Sequence, residues 1–550
     1  MAQSSVFFSA VPYYRCSVPP LDDPRVYPNL TEENITNLLI PPGEQCFRYD
    51  YNLSTCTGDG DLSCLDNPDP GKIQCDNGYT YDDTYYEETT VSEWDLVCGR
   101  TTLDSVAIAM YYFGVMIGAF LAGPLLDWFG RKVSMLIFAF IILINAIVTA
   151  FSPSYGVYIG MRTLTAIGNS AYLCYFTYVS EMVDKKSRTP TTVGAMQISA
   201  LAHTCLPGFA YFLRDWRKLC LCLALINVSY IFVYFFIPRS CRWLLTNNKA
   251  EEAKITVQRI ARCNKIEFND DDWNLVVKTE KEILQMSQKK KKYFMYDLYR
   301  PTMMRFVSIN IIYLWFVVAM IFYGLTLNVR TLVGDPYVNA AINALVEFVG
   351  YFVFYAFAGP VGMRITSSIS YFLGGMCCIT TMLLLQFANG NQAMLEASRW
   401  VAILGKLFAS TSFAVVYQYT AELYPTVVRG TGLAMGSMAG RLGPIIMPFT
   451  LQLQQTIPWL TQTIFGTLAI IAGATSLLLP DTTNSDLMTS VDQAENFYRD
   501  NMKITARLFG ATAEYQSKTD STTSGTKSDD YNECEIKCDD GKVYINSYKL

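Results

Sequence analysis

The sequence predicts an all-α polytopic membrane protein: two bundles of spanning helices behind a disulfide-rich extracellular domain. Three observations predict it. Hydrophobic residues make up 51% of the 550-residue chain and charged residues only 17%, and the charges are bunched between long stretches that carry almost none. A bilayer needs roughly 20 such apolar residues per helix, whereas a soluble core cannot bury so many uninterrupted runs. Basic residues fall in alternate connections between those runs, and a set of landmarks recurs in the second half of the chain.

Residues 1–103 are expected to be extracellular, glycosylated and cross-linked. Residues 1 to 100 carry 17 acidic and 5 basic side chains, and six of the 16 cysteines, Cys16, Cys46, Cys56, Cys64, Cys75 and Cys98. An even cysteine set in an acidic, loop-rich segment indicates disulfides formed in an oxidising compartment, with a connectivity that spacing leaves open. Sequons at Asn29, Asn34 and Asn52 point the same way. Only the run Val6–Val11 precedes Cys16, too short to span a membrane or to act as a signal sequence.

Eleven spans follow: Asp104–Leu126, Val133–Phe151, Tyr155–Met182, Thr191–Leu213, Leu219–Ile237, Met304–Asn328, Val338–Gly359, Ile365–Ala388, Ser398–Ala421, Val428–Gln452 and Trp459–Leu479. They group into an N-terminal bundle (104–238) and a C-terminal bundle (304–480), separated by a charged amphipathic linker (239–303). Arg131, Lys132, Lys185, Lys186, Arg188, the run Lys289–Lys292, Arg364 and Arg429 share one side, which the positive-inside rule makes cytosolic. Arg214, Arg217 and Lys218 lie opposite and break the rule. The lysine run reads as a solvated charge run ahead of a lipid-headgroup contact. The tail, 481–550, is rich in Ser, Thr, Asp and Lys, and is expected to be cytosolic and disordered.

The halves share landmarks. Glu181 precedes Arg188 by the same interval as Glu422 precedes Arg429; Gly123-Pro124 recurs as Gly359-Pro360, and the exit at Pro238 recurs at Pro480. Duplicated halves around a central site are a recurring membrane architecture.

Ionisable groups within spans are costly in lipid and face a cavity or a partner. Glu347, Lys406 and Arg441 each lie roughly 12–18 Å from the nearest span end at about 1.5 Å per residue, in a core about 30 Å thick, so all three can meet near the midplane. Two positive charges and one negative suit a bound carboxylate better than a free cation, and Arg441 can grip one through two parallel hydrogen bonds. The competing arrangement is a permanent Arg441–Glu347 pair that only fixes helix packing. Trp315, Phe322 and Tyr323, Phe413 and Tyr417, and Tyr172 and Phe176 stand at spacings that share a helix face, and ring faces attract quaternary ammonium groups; helix packing competes with that role at each. His203, the only histidine, lies within a span, where a hydrogen-bonded core role competes with proton relay. No phosphate-binding glycine loop and no nucleophile elbow occur, so neither ATP-driven pumping nor hydrolysis fits, and no enzyme activity, cofactor, metal or nucleic-acid partner is expected.

Gly123-Pro-Leu-Leu-Asp127-Trp-Phe-Gly130-Arg131-Lys132 resembles the loop signature of the major facilitator superfamily. With Arg214-Asp215-Trp216-Arg217, Arg242-Trp243-Leu244 and Tyr419-Thr-Ala-Glu422-Leu-Tyr-Pro425-Thr-Val-Val-Arg429, the chain closely resembles the organic cation, anion and zwitterion transporters over roughly residues 10 to 485, nearest in pattern to the organic cation/carnitine transporters. It departs at Arg239 and Cys241, where relatives usually carry Glu and Pro, at Trp128, where Arg is common, and in lacking a first transmembrane helix before the extracellular domain. The resemblance implies a two-bundle, multi-pass solute carrier of the plasma membrane that works by alternating access. It also implies a cytosolic latch of Asp127, Arg131, Glu181, Arg188, Glu422 and Arg429 that holds the outward-facing state. In that family, cation transporters carry an acid at the position of Arg441, whereas anion and carnitine transporters carry arginine. At Tyr351, anion carriers tend to have lysine and carnitine-type carriers tyrosine. The expected partners are thus a small organic ion and the lipid bilayer: first a carnitine-like zwitterion, alternatively a broader range of organic cations or anions, with a coupling ion such as sodium left open. A different reading is a non-transporting receptor or scaffold that kept the fold.

Overall fold

The computed structural model describes residues 3–19, 21–22, 32–51, 70–183, 187–289, 295–332, 334–388, 390–425, 427–454, 456–457, 459–482, 488, 490–502, 535–539 and 542–546. The extracellular domain is held by short pairings rather than by a large core. Strand β1 (Tyr14–Cys16) pairs antiparallel with β4 (Tyr79–Tyr81), and β2 (Phe47–Tyr49) with β3 (Lys72–Gln74). Sheets this small are marginal alone; disulfides Cys16–Cys75 and Cys46–Cys98 staple them. Cys56, Cys64, Asn29 and Asn52 lie outside the described residues, and Asn34 is exposed on α2 (Glu32–Leu39). Arg48 donates to both carboxylate oxygens of Asp76, at 2.9 and 2.8 Å, and these bonds hold the Asp76 carboxyl below its ordinary range.

The basic residues that break the positive-inside rule are explained here. Arg217 donates to Glu93 on α3 (Thr90–Glu93) and, at 2.6 and 2.8 Å, to the carbonyls of Ala150 and Ser152. Lys218 pairs with Glu87 at 3.1 Å, and Arg214 donates to the carbonyl of Thr84 at 3.2 Å. These cations dock the acidic extracellular domain onto the bundle, so their position answers a local partner. Residues 3–10, expected in that domain, belong instead to the membrane bundles. Helix α1 (Ser5–Phe8) is buried throughout; Phe7 stacks on Tyr337 of the C-terminal bundle and Thr90 donates to the carbonyl of Phe8.

The N-terminal bundle comprises α4 (Thr101–Phe129), α5 (Arg131–Ala150), α6 (Tyr155–Gly168), α7 (Ala171–Met182), α8 (Arg188–Phe212) and α9 (Trp216–Phe236). Continuous helix is the form that satisfies backbone polar groups without water. One expected span, Tyr155–Met182, is broken at Asn169–Ser170 into α6 and α7. The break lies where α4 approaches most closely: a Cβ at Gly118 would collide with the carbonyl of Ile167 and with Ser170 Oγ, the small-residue contact by which membrane helices pack. The linker forms α10 (Cys241–Thr246), α11 (Ala250–Cys263) and α12 (Asp270–Lys289), which share an apolar cluster of Trp243, Leu244, Ala253 and Trp273; Lys290, Lys291 and Lys292 lie outside the described residues.

The C-terminal bundle comprises α13 (Thr302–Asn328), α14 (Pro336–Val361), α15 (Met363–Phe387), α16 (Gln392–Leu423), α17 (Arg429–Leu453) and α18 (Leu460–Ser476). Seven helices among the described residues are long and apolar enough to cross a membrane, and α18 is a shorter apolar helix. The repeat is physical. Gly130 (φ 81°) joins α4 to α5, and Gly362 (φ 86°) joins α14 to α15, the same left-handed turn in each half, which favours glycine. Tyr178 donates to the carbonyl of Pro238 at 3.0 Å, and Tyr419 to that of Pro480 at 2.6 Å.

Beyond Pro480 the structure corrects the expectation of disorder from residue 481. Helix α19 (Val491–Asn501) docks against the C-terminal bundle, with Tyr498 buried and the Glu495 carboxylate accepting from the Met303 and Met304 amides at 3.0 Å each. Those amides are the unpaired donors of the first turn of α13, whose dipole favours an anion. Farther on, β5 (Glu535–Asp539) and β6 (Lys542–Asn546) pair antiparallel.

Candidate functional site

The bundles meet through α4 against α17 and α8 against α14. Bonds between them gather at the extracellular ends. Ser105 Oγ donates to the carbonyl of Pro448 at 3.2 Å, Gln452 donates to Thr102 Oγ1 at 2.9 Å and Arg330 lies 3.5 Å from Asp104, while Tyr337 donates to the carbonyl of Tyr85 in the extracellular domain. Arg330 also donates to the carbonyls of Ser5 and Ser9, at 2.8 and 2.6 Å. The extracellular side is therefore closed by direct contact between the halves.

Near the midplane, Glu347 of α14 and Lys406 of α16 form an ion pair at 3.7 Å, with relative exposures of 1% and 0%. Lys406 Nζ donates to Thr326 Oγ1 at 2.7 Å and to the carbonyl of Phe322 at 3.1 Å, and lies 3.2 Å from the centre of the Phe322 ring. Glu347 in turn accepts from Tyr351 OH at 3.2 Å and from Gln3 Nε2 at 3.2 Å, and faces His203 Nδ1 at 3.4 Å. Burying two charges costs several kcal/mol each unless both are paired and their remaining valences filled. Lys406 and Glu347 meet that condition within the protein.

Arg441 does not. It is 5% exposed, donates to Tyr172 OH across the bundle interface, stacks over the Tyr172 ring at 5.5 Å, and leaves its buried Nε without a hydrogen-bond partner. Among the described residues it has no carboxylate partner. The anticipated alternative, a permanent Arg441–Glu347 pair, is thus replaced by a Lys406–Glu347 pair that leaves the Arg441 guanidinium without a carboxylate among the described residues.

The aromatic residues divide. Phe322 stacks on Phe413 (4.7 Å, 27°), Phe413 packs against Tyr417 at 5.4 Å, and Tyr323 meets Phe413 at 6.4 Å. Trp315 is a packing residue: its N–H donates to Thr420 Oγ1 at 3.0 Å and its ring fills the space over Gly436 and Gly440. Tyr172 and Phe176 touch edge to face at 6.2 Å. Sequence reasoning missed Tyr112, which meets Tyr323 across the interface at 5.1 Å, and its neighbour Tyr111. It also missed Arg162, 2% exposed, set 4.8 Å from the Tyr111 ring and 4.6 Å from the Phe8 ring, and bonded to the hydroxyls of Ser4 and Ser5. The rule that singled out Glu347, an ionisable group inside a span, applies equally to Arg162.

The contacts of the latch residues fall within each half separately among the described side chains. Glu181 accepts from Arg131 at 2.9 Å and from Ser240 Oγ at 2.5 Å, and Asp127, mostly exposed, lies 3.7 Å from Arg131. Glu422 accepts from Gln418 at 3.0 Å and from Thr482 Oγ1 at 2.7 Å, and Arg429 donates to the carbonyl of Tyr424 at 3.2 Å. Arg188 opens α8, and its side chain lies outside the described ones. Glu181–Ser240 and Glu422–Thr482 are repeat equivalents, each tying a helix end to the residue two after the exit proline. The substituted exit motif keeps its place through other contacts: Arg239 pairs with Glu252 at 2.5 Å, and Ser240 caps α10.

Two helical bundles meeting over buried charges and rings and tied together at one membrane face define a multi-pass membrane transporter. The family model of sugar (and other) transporters matches residues 72–491. The chain is 30% identical to the organic cation/carnitine transporter 2 of Homo sapiens over 502 residues, covering 89% of this chain and 87% of that one. It is 29% identical to the organic cation transporter protein of Drosophila melanogaster over 498 residues, covering 90% and 88%. This chain therefore belongs to the organic cation, anion and zwitterion transporter family of the major facilitator superfamily: a solute carrier of the plasma membrane, not an enzyme. Among solved structures, the proton:xylose symporter XylE bound to 6-bromo-6-deoxy-D-glucose shares the fold, with a TM-score of 0.55 at 17% identity over 73% of this chain and 90% of that one.

Proposed function

We propose that this chain carries small organic ions bearing a carboxylate by alternating access, a carnitine-like zwitterion first among them. The observation that carries the reading is Arg441, a buried guanidinium at the bundle interface whose Nε lacks a partner among the described residues. A carboxylate fits its planar fork through two parallel hydrogen bonds and neutralises it. Tyr172, over whose ring the guanidinium lies, orients it, while the neighbouring pair Tyr112 and Tyr323 supplies aromatic surface of the kind a quaternary ammonium group needs. The name of the human relative, an organic cation/carnitine transporter, supports the same substrate class. Closure at the extracellular ends, with Glu181 and Glu422 bonded inside their own halves, is what an inward-facing stage of the cycle requires.

A second reading, transport of organic anions without an ammonium group, is favoured by one observation: Glu347 is already paired with Lys406. Uptake of labelled carnitine, a tetraalkylammonium ion and an aromatic monocarboxylate into cells expressing the chain separates the readings. Carnitine uptake abolished by Arg441→Ala supports the first, and uptake of the monocarboxylate alone supports the second. Uptake of the simple cation alone, unharmed by the substitution, sinks both.

A further inference from the structure

We propose that His203 and Glu347 form a proton-binding site whose occupancy sets which way the carrier faces. The proposal rests on the transporter class and not on the choice of substrate. His203 lies on α8 of the N-terminal bundle and Glu347 on α14 of the C-terminal bundle, so their 3.4 Å contact crosses the interface that must part for the extracellular side to open. The His203 side chain is 36% exposed, whereas that of Glu347 is 2% exposed. The same ring nitrogen, Nδ1, lies 3.0 Å from the Gln3 amide and 3.4 Å from the carboxylate. Unprotonated, Nδ1 accepts from Gln3; protonated, it donates to Glu347 Oε1. Both protonation states thus have a partner in place, an arrangement that a purely structural histidine does not need.

The charged and titratable groups around the contact are few. From α14 come Glu347 and Tyr351, from α16 Lys406, and from α13 Tyr323, whose hydroxyl is in electrostatic reach of Glu347. The small void beside His203 is lined by Thr326, Val329, Ala340 and Asn343, none of which titrates. A proton taken from water onto Nδ1 adds a cation against the buried carboxylate only while the halves touch on the extracellular side. Parting the halves removes this cross-interface contact, so acid is expected to shift the population toward closure. The proton returns to water when the halves part, so no co-reactant is consumed.

The test reads conformation directly and needs no transported substrate. A fluorophore pair is incorporated as unnatural amino acids at the exposed Leu103 and Leu453, on the extracellular ends of α4 and α17, in the full chain reconstituted in nanodiscs. Energy transfer in the otherwise unaltered protein is expected to rise as pH falls from about 8 to about 5.5, the range in which imidazole changes charge. H203Q is expected to lose the response, H203K to hold high transfer at every pH, and E347Q to flatten the curve from the other side of the contact. Elution profile and unfolding midpoint verify that each variant is folded, and any one folded variant suffices for the comparison. A pH response that persists in H203Q, or no response in the parent protein, overturns the assignment.

Discussion

Arg441 offers the sharpest perturbation, because the structure gives opposite expectations for binding and for folding. Its Nε has no partner, and no carboxylate neutralises it among the described residues. If a substrate carboxylate closes that fork, Arg441→Ala removes one partner of a desolvated charge pair, a loss of about 2–5 kcal/mol. At about 1.4 kcal/mol per tenfold, this is a rise in KM from roughly 30-fold to several-thousand-fold. Arg441→Lys keeps the charge but loses the planar fork, so its loss is expected near that of a single charged hydrogen bond, about 1.5–3 kcal/mol, or roughly 10- to 150-fold. Folding goes the other way: removing an uncompensated buried cation relieves desolvation, so the Tm of Arg441→Ala in detergent is expected to be unchanged or higher. The assay is concentration-dependent uptake of carnitine and of a tetraalkylammonium ion in parallel, with thermal unfolding of the purified proteins. Equal loss for both substrates, or carnitine uptake with an unaltered KM, would refute carboxylate capture; a fall in Tm of several degrees would show that Arg441 has an internal partner.

Lys406→Met should destabilise the protein by about 3–5 kcal/mol by leaving Glu347 buried and unpaired, whereas the double variant with Glu347→Gln should recover much of that loss; thermal unfolding of the two singles and the double measures the coupling. Arg330→Ala removes the bridge to Asp104 and the grip on the Ser5 and Ser9 carbonyls, so it is expected to lower energy transfer between labels at Leu103 and Leu453 at constant pH; transfer equal to the parent would show that the bridge does not hold the halves closed. Replacing Cys16 and Cys75 together by Ser opens a loop with a sequence separation of 59, which in the chain-entropy picture costs about 4 kcal/mol, and should appear as loss of surface expression without loss of the Cys46–Cys98 link on non-reducing peptide mapping.

Much of this protein was legible because lipid restricts what a chain can do. Apolar runs of the length of a bilayer must be helical, so the spans and the division into halves follow from composition and from repeated landmarks such as Glu181–Arg188 and Glu422–Arg429. The extracellular cysteines announced disulfides, and the in-span charges announced a centre. Pairing was another matter. Glu347, Lys406 and Arg441 sit on three helices, and one-dimensional depth cannot say which cation the carboxylate meets; rotation of α14 and α16 about their axes brings Lys406 within 3.7 Å and leaves Arg441 to Tyr172. Arg217 broke a topological rule in the sequence and obeys a local one in space, because Glu93 waits across a fold boundary. Helix α19, polar in composition, is ordered by docking, since Glu495 answers the unpaired amides at the start of α13. Local chemistry and the periodicity of apolar residues therefore determined class, helical content and the list of charged candidates. Only the tertiary structure decided which charge was left over, because neutralisation is a property of distances of a few ångströms between segments far apart in the chain.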